Sequence, residues 1–446
     1  MPPDQWIVTP GYERVRDAFV RSTGTFGRGG GAYAAYVDGE LVVDLWDGQA
    51  RPGQAWEAGT TTVLMSATKG LTALCLQILA DRGQLDIGER VATYWPEFAQ
   101  NGKQNVLVRH VLTHTAGLLG FTGQTDLMRP DGAGWDDYDA ISAGFAAQAP
   151  EWEPGTKHGY HALSFGWLAA EIVRRITGRS LGTFFHEEVA IPLGLEAWIG
   201  TPTEELGRVA HVYSSDMSTL PRFVRKGFEA AELVARDPAT LTGKAFLGTG
   251  SSSAYEALEA LFNNPRVLQA EFPAGGATAT ARALATVWAA AANGGELNGV
   301  RIVSEACTEE FSRVALCEPD LLMSEIPIPR LLGRASAPVT RTLGYLGNGP
   351  MPGLGHRFGP NPAAYGVEGL GGQYGFCDPA GRIAVGSVRS DLAIMEVLQP
   401  TVTNALYDCA RHLGHSVFTP PPRSWAKALA HGATGALVRR KMAVRS

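Results

Sequence analysis

The sequence predicts an α+β fold, in which strands from both ends of the chain form one antiparallel sheet and a mainly helical lobe is inserted between them. Hairpin patterns lie near both ends of the chain, helical periodicity fills the middle, and there are no internal repeats. We expect a single unit over 1–415, with the sheet lobe formed from about 10–85 and 275–415 and the helical lobe over about 86–274. A C-terminal tail is expected over 416–446.

Two hairpins support the predicted sheet. Residues 32–46 form two apolar, partly alternating runs on either side of Asp38 and Gly39, a dipeptide typical of two-residue hairpins. The runs 373–377 and 383–388 flank a D-P-A-G turn sequence and predict a second hairpin.

Apolar residues at helical spacing predict the helices, and Gly residues mark several helix ends. The predicted helices cover 63–82, 105–118, 155–178, 278–293 and 392–413. The periodicity weakens over 214–250. Residues 315–362 are rich in Pro and Gly, which predicts long loops, with a flap over a cleft as one interpretation.

Composition excludes several functional classes. The 446 residues carry a formal net charge of −6 and have a pI near 6.0, which argues against a nucleic-acid binder. No apolar run reaches the roughly 18 residues that a membrane span requires, and the first residues lack a signal-peptide pattern, so we expect a cytoplasmic protein. The five cysteines form no C-x-x-C pattern. No metal and no organic cofactor is predicted.

Ser66 and Lys69 form the first candidate for chemistry. Positions three apart in a helix share a face, so the serine hydroxyl and the lysine amine can approach within hydrogen-bonding distance. Free backbone amides at a helix start favour a developing oxyanion on the group attacked by Ser66. The same positive end, together with burial, favours the neutral amine that a general base requires.

Two other serines match familiar patterns and are assigned no catalytic role. Ser424 repeats the S-x-x-K spacing, but it follows three prolines and leads no long apolar helix. Ser180 lies in a G-x-S-x-G sequence, a pattern that serves a nucleophile only between a strand and a helix. We expect Gly178 to end one helix and Ser180 to cap the next. His114 is interpreted as a structural hydrogen-bonding residue.

Several ordered motifs together carry a resemblance to a known family. They are S-A-T-K-G-L-T at 66–72, L-A-D-R-G-Q-L-D at 79–86, V-R-H-V-L-T-H-T-A-G-L at 108–118, W-E-P-G-T-K-H-G-Y-H-A at 152–162, A-N-G-G at 292–295 and G-L-G-G-Q-Y-G-F-C-D-P at 369–379. With these motifs the chain resembles the β-lactamase-related serine hydrolases, which include class C β-lactamases, D-Ala-D-Ala peptidases and family VIII carboxylesterases. The resemblance covers about residues 10 to 412 and implies a β-lactamase/penicillin-binding-protein-like fold.

The resemblance also implies the remaining site residues. Tyr160 would be the third catalytic group and would relay a proton between Ser66 and the leaving group. The third family motif would fall on 367–369, and the N–H of Leu370 would complete an oxyanion hole with that of Ser66. The residues expected to border the substrate are His161, Val367, Glu368 and Gly369.

Two departures from the family pattern bear on the substrate. Ala162 stands where β-lactamases have an asparagine, and Val367 stands where a cation is usual. A site without these groups suits a small neutral ester better than a charged β-lactam. We therefore expect a serine carboxylesterase of class EC 3.1.1.- that acts on a small-molecule ester through an acyl-enzyme on Ser66.

Other functions stay open at this point. An acyltransferase or a peptide-cyclising thioesterase of the same fold would share the chemistry and change the acceptor. A β-lactamase, a D-alanyl peptidase and a catalytically silent binding protein are weaker alternatives. The sequence leaves the oligomeric state open.

Overall fold

The computed structural model describes residues 5–120, 127–129, 131–214, 222–246, 255–325, 338–351, 355–392 and 401–419. Its largest element is a ten-stranded antiparallel sheet in the order β1-β3-β2-β17-β16-β15-β12-β11-β10, with β4 paired to β3. The strands of this sheet are β1 (Ile7–Val8), β2 (Gly30–Val37), β3 (Glu40–Arg51), β4 (Gln54–Ala55), β10 (Leu316–Pro319), β11 (Pro338–Arg341), β12 (Leu346–Gly347), β15 (Tyr365–Gly369), β16 (Gln373–Asp378) and β17 (Ile383–Arg389).

Short strands form three smaller sheets outside the main one. They are β5 (Thr62–Val63), β6 (Ala197–Trp198), β7 (Thr278–Ala279), β8 (Glu296–Leu297), β9 (Val300–Arg301), β13 (Pro350–Met351) and β14 (Gly355–His356). Strand β7 pairs with both β5 and β6, so it joins the chain just before Ser66 to the helical lobe.

Most of the helices lie between β5 and β10 in the sequence. The α-helices are α1 (Glu13–Thr23), α2 (Thr68–Asp81), α3 (Val91–Tyr94), α4 (Val108–Leu112), α5 (Tyr138–Ala147), α6 (Ser164–Thr177), α7 (Leu181–Phe185), α8 (Ile191–Leu193), α9 (Arg222–Arg236), α10 (Leu241–Phe246), α11 (Tyr255–Phe262), α12 (Pro265–Gln269), α13 (Ala281–Ala292), α14 (Glu305–Ser312), α15 (Leu321–Glu325) and α16 (Thr401–His412). Short 3-10 helices span Met65–Ala67, Pro96–Phe98 and Thr203–Arg208, and a π-helical turn spans His186–Ala190.

Both predicted hairpins are present, and the α+β fold class is confirmed. Asp38 and Gly39 both have positive φ angles, 52° and 84°. A two-residue turn needs such angles if its twist is to match that of the flanking strands. Strand β17 pairs with β2 over seven residues, from Gly31 opposite Arg389 to Val37 opposite Ile383. This pairing joins the two ends of the chain in the centre of one sheet.

Each face of the sheet buries a separate apolar core. Helices α1 and α16 cover one face, while α13 and α2 lie on the other. Helix α13 approaches the strands closely because Gly375 and Gly386 face it. A Cβ at Gly375 would lie 2.2 Å from Trp288 Nε1, and one at Gly386 would lie 2.3 Å from the carbonyl oxygen of Ala281. Larger residues at these two positions would push the helix away from the sheet.

Three of the predicted helices are shorter than the sequence pattern suggested. Helix α2 begins at Thr68, after a strand and a 3-10 turn, and α4 ends at Leu112, shortly before His114, which has a φ of 59°. Helix α6 begins only at Ser164, since the preceding segment turns at Gly155 with a φ of 85°. In each case the apolar pattern continues into buried turns, which periodicity alone cannot separate from helix.

The prediction of long loops over 315–362 was wrong for most of the described residues of that segment, while 326–337 and 352–354 lie outside the described residues. Its described residues contribute β10, β11 and β12 to the main sheet and form the β13–β14 hairpin. These strands are two to four residues long, too short to show alternation among the Pro and Gly residues. The weakly periodic stretch 214–250 likewise contains α9 and α10.

The described residues lack two features. None of their helices combines the length and apolarity that a membrane-spanning helix needs. Within the same part of the chain, no group of three or more His, Cys, Asp or Glu side chains is arranged to hold a metal ion.

Candidate active site

Ser66 lies in the 3-10 turn Met65–Ala67 that leads directly into α2. The turn is anchored on both sides: Leu64 N–H donates to the carbonyl of Ala277 at 2.8 Å, and Ala67 N–H donates to that of Leu64 at 3.0 Å. Met65 has a φ of 49°, in the left-handed region that residues other than glycine rarely adopt. Strain of this kind persists only where the surroundings enforce it, and here it lies next to the candidate nucleophile.

Lys69 lies one turn further along α2 and is buried. Its Nζ donates to Ser66 Oγ at 3.2 Å and to the carbonyl of Ala274 at 2.8 Å. Burial lowers the pKa of the Lys69 ammonium, while the neighbouring Tyr160 opposes this effect. The geometry and the pKa direction are those of an amine that can accept a proton from a hydroxyl.

The segment that holds Lys69 is itself tied to α2. Thr72 Oγ1 donates to the carbonyl of Pro273 at 2.7 Å, and Ala277 N–H donates to Thr68 Oγ1 at 3.1 Å. Together with the bond from Lys69 to Ala274, these contacts fix the chain over 273–277 along the first turns of the helix. The amine therefore has a fixed second acceptor that holds it beside Ser66.

Tyr160 approaches Ser66 from the irregular segment before α6. Its hydroxyl donates to Ser66 Oγ at 2.8 Å, and Lys69 Nζ lies 5.0 Å from the centroid of its ring. The three predicted catalytic side chains are thus brought together at one oxygen. Because hydroxyl hydrogens can rotate, the Ser66–Tyr160 hydrogen bond can also run in the opposite direction.

Two buried histidines support the segment that carries Tyr160. His114 Nδ1 accepts a hydrogen bond from His161 N–H at 3.1 Å, and its ring stacks on Phe165. His161 donates from Nδ1 to the carbonyl of Gly159 at 2.7 Å and accepts at Nε2 from Leu118 N–H at 3.1 Å. Burial lowers the pKa of His161 to about 3, so the ring is neutral at ordinary pH.

This position differs from the expected role of His161. The side chain is fully buried and both ring nitrogens are bonded to the backbone, so it holds the loop and does not border the substrate. His114 has the structural hydrogen-bonding position that was predicted.

The third predicted motif lies on β15, whose end abuts the Ser66 turn. A Cβ at Gly369 would lie 2.4 Å from the carbonyl oxygen of Leu64 and 3.1 Å from Ala67 N. Leu370 follows immediately and is 39% exposed. The assignment of the Leu370 N–H to the oxyanion hole stays a prediction, as does the substrate-bordering role of Gly369.

The other two residues of that motif contact other parts of the protein. Val367 is buried, with its methyl groups directed at Gly70 of α2, where a Cβ would lie 2.9 Å from Val367 Cγ1. Glu368 is mostly buried and forms an ion pair with Arg357. Periodicity could not show this, because one residue of register decides which face of a strand a side chain occupies.

Sequence reasoning missed a buried charged pair next to Tyr160. Asp320, in the turn between β10 and α15, accepts a hydrogen bond from Tyr160 N–H at 3.3 Å. Arg341, at the end of β11, places its guanidinium carbon 5.4 Å from the centroid of the Tyr160 ring. Both residues lie in the segment for which the sequence predicts long loops, and no motif marks them in the sequence.

Neither of the two other serines that match nucleophile patterns, Ser180 and Ser424, is placed in this arrangement. Ser180 caps α7 by accepting from Thr183 N–H at 3.2 Å, and it donates to Glu271 at 2.5 Å. Gly178 ends α6 with a φ of 71°. The predicted capping roles are confirmed, whereas Ser424 lies outside the described residues.

A family model described as Beta-lactamase matches residues 15–390, which is most of the chain and spans all three converging side chains. The chain belongs to the Beta-lactamase family. This assignment confirms the resemblance that the sequence motifs carry and agrees with the sheet and helices described above.

Relatives in this family include esterases and penicillin-binding proteins. Esterase/beta-lactamase LipL of Mycobacterium tuberculosis (strain ATCC 25618 / H37Rv) is 36% identical over 375 residues, which cover 82% of this chain and 77% of that protein. The crystal structure of a family VIII carboxylesterase is 32% identical, with a TM-score of 0.72 and coverage of 90% of this chain and 98% of that one. A penicillin-binding protein homologue from Caulobacter crescentus is 30% identical, with a TM-score of 0.73 and the same two coverages. The chain thus has an esterase/β-lactamase-like serine hydrolase fold.

Proposed function

We propose that the protein is a serine carboxylesterase that hydrolyses small neutral esters through an acyl-enzyme on Ser66. The observation that supports this most directly is the convergence of Lys69 Nζ and the Tyr160 hydroxyl on Ser66 Oγ, at 3.2 Å and 2.8 Å. The esterase relatives and the family VIII carboxylesterase neighbour add support for ester substrates.

Acylation begins with attack of Ser66 Oγ on the ester carbonyl carbon. The serine proton passes to the Lys69–Tyr160 pair, and the carbonyl oxygen becomes an oxyanion that the N–H of Ser66 and, in this proposal, that of Leu370 stabilise. Collapse of the tetrahedral intermediate breaks the bond to the alcohol oxygen. Tyr160 delivers a proton to that oxygen, and the alcohol departs.

Deacylation repeats these steps with water as the nucleophile. The same pair removes a proton from water, the hydroxide attacks the acyl carbon, and the bond to Ser66 Oγ breaks as the serine regains a proton. The products are one carboxylic acid and one alcohol. No cofactor is needed for this balance of atoms and charge.

The choice of a neutral ester rests on the residues at two positions of the family motifs, Ala162 and Val367. Ala162 is buried and has no side-chain donor for a substrate amide. Val367 cannot bind a carboxylate, and the nearby Arg341 is engaged with His158 and Asp320. A charged β-lactam would find no dedicated cation among these residues.

A panel of p-nitrophenyl esters of increasing acyl length tests this proposal, with nitrocefin assayed in parallel. We expect short esters to be hydrolysed with a kcat/KM far above that for nitrocefin, and Ser66→Ala to abolish turnover. Ser180→Ala is the matched control and should keep ester turnover close to that of the unmodified protein. Nitrocefin turnover equal to that of the short esters, or full ester activity in Ser66→Ala, would contradict the proposal.

A further inference from the structure

Two basic side chains lie close to the Tyr160 ring. Lys69 Nζ lies 5.0 Å from the ring centroid, and the Arg341 guanidinium carbon lies 5.4 Å from it. Both cationic side chains are buried, with Lys69 5% and Arg341 6% exposed. Cations at such distances are attracted to the ring face and act electrostatically on its phenol oxygen.

Arg341 is held in this position by two groups from other segments. Its Nε donates to His158 Nε2 at 2.7 Å, and its Nη2 lies 3.8 Å from Asp320 Oδ2. Asp320 Oδ1 also accepts from Tyr160 N–H at 3.3 Å and from Leu322 N–H at 2.9 Å. One carboxylate therefore positions both the arginine and the backbone of the tyrosine.

Several charged groups among the described residues surround Tyr160 and Arg341. They are Lys69 on α2, Asp320 before α15, and Arg357, which acts on Arg341 and is paired with Glu368. Three buried histidines, His114, His158 and His161, complete the set.

These histidines do not change their protonation state in the ordinary pH range. Burial and the neighbouring Arg341 lower the pKa of His158 to about 3, and burial lowers that of His161 to about 3 and that of His114 well below its usual value. Burial raises the pKa of Asp320, which Arg341 opposes. Arg341 also reinforces the effect of burial in lowering the pKa of Lys69.

We propose that Arg341 is a positioning residue whose charge, moderated by Asp320, sets the pH at which the Lys69–Tyr160 pair loses its proton. It supplies from β11 the positive charge that Val367 does not supply from β15. This inference rests on the proposed esterase function, because it concerns the proton acceptor of that reaction.

The test is the pH dependence of kcat/KM for p-nitrophenyl butyrate, followed in a pH-stat. The acid limb of this profile reports the proton loss that activates the pair in the free enzyme. We expect Arg341→Met to move the acid limb to higher pH by about 1 unit, since a nearby cation favours the deprotonated pair. Arg341→Lys should return the acid limb most of the way to the pH found for the unmodified protein.

Asp320→Asn gives a prediction of the opposite sign. The substitution removes a negative charge while its side-chain oxygen can still accept from Tyr160 N–H, so the acid limb should move to lower pH. Arg411→Met, on the exposed side of α16, is the matched control and should leave the profile unchanged. If Arg341→Met does not fold, the downward shift in Asp320→Asn still decides the question.

Two results would overturn the inference. In the first, Arg341→Met and Asp320→Asn both keep the acid limb at the pH found for the unmodified protein and only kcat is reduced, which would show a packing role. Shifts of both variants in the same direction would rule out the charge mechanism. Failure of the esterase proposal has a different signature, because the unmodified protein would then show neither ester turnover nor labelling of Ser66 by a fluorophosphonate.

Discussion

At the scale of single residues, the site depends on one oxygen with two hydrogen-bonding partners. Ser66 Oγ accepts hydrogen bonds from Lys69, in the first turn of α2 directly after the 3-10 turn that holds Ser66, and from Tyr160, in a segment 94 residues further along the chain. The first contact follows from helix geometry and was predictable from spacing. The second is non-local, and only the family resemblance pointed to it.

Replacing Tyr160 by Phe removes the hydroxyl and keeps the ring between its neighbours. We expect kcat/KM for short esters to fall by about 10²- to 10⁴-fold, the usual contribution of a positioned proton donor and acceptor. Steady-state kinetics with p-nitrophenyl acetate measures this. Tyr94→Phe, which removes a hydroxyl that accepts from Asp86 N–H, should retain activity, and an equal loss in both variants would contradict the assignment.

Charge at the site gives a second expectation at this scale. Burial lowers the pKa of Lys69, so the amine loses its proton at a lower pH than an exposed lysine does. Activity should therefore fall as the pH is lowered through this pKa and recover as it is raised. A profile of kcat/KM without an acid limb between pH 5 and the usual lysine range of about 10 would contradict Lys69 as a base.

At the scale of elements, the close approach of α6 to the 273–274 segment supports Lys69. A Cβ at Gly166 would lie 2.4 Å from Ala274 N and 2.4 Å from the carbonyl carbon of Pro273. The carbonyls of these two residues accept from Lys69 and Thr72. The helix therefore sets the position of the segment that holds the amine.

Gly166→Ala should be destabilising although alanine favours helix. We expect the free energy of unfolding to fall by about 1–3 kcal/mol from the steric conflict, and kcat/KM to fall as Ala274 moves away from Lys69. Chemical denaturation and ester kinetics measure the two effects. Gly207→Ala is the control, since its Cβ would meet no atom within 4 Å, and its stability should change by less than about 0.5 kcal/mol. Equal stability of the two variants would contradict this packing argument.

Sequence patterns predicted the elements unevenly, for physical reasons. The hairpin at Asp38-Gly39 was predictable because its turn residues and alternation are local. Strands β10 to β12 were not, because each is short and the pairings of β10 with β11 and of β12 with β15 join segments distant in sequence. Arg341 and Asp320 lie within and beside those strands, so the charged pair next to Tyr160 was missed with them.

At the scale of the whole molecule, buried neutral histidines make folding sensitive to acid. The pKa values of His158 and His161 are each lowered to about 3 by burial, against about 6.5 in an unfolded chain. Between these values the unfolded state binds more protons than the folded state does. The stabilisation is therefore fully present above pH 6.5 and is lost as the pH falls toward 3.

Thermal unfolding at a series of pH values tests this expectation. The unfolding temperature should fall as the pH is lowered below 6. The free energy of unfolding should fall by up to about 1.4 kcal/mol per pH unit for each of the two histidines. His161→Gln should lower the overall stability but flatten the slope. A midpoint that is constant from pH 7 to 4 would contradict neutral burial of these rings.

The central claim is that Ser66 is the nucleophile, and covalent labelling tests it most directly. The protein is incubated with a fluorophosphonate, and the adduct is located by peptide mass spectrometry. We expect one adduct, on Ser66, that is absent in Ser66→Ala and forms much more slowly in Lys69→Ala. An adduct on Ser180 or Ser424, or an unmodified Ser66 after prolonged incubation, would contradict the claim.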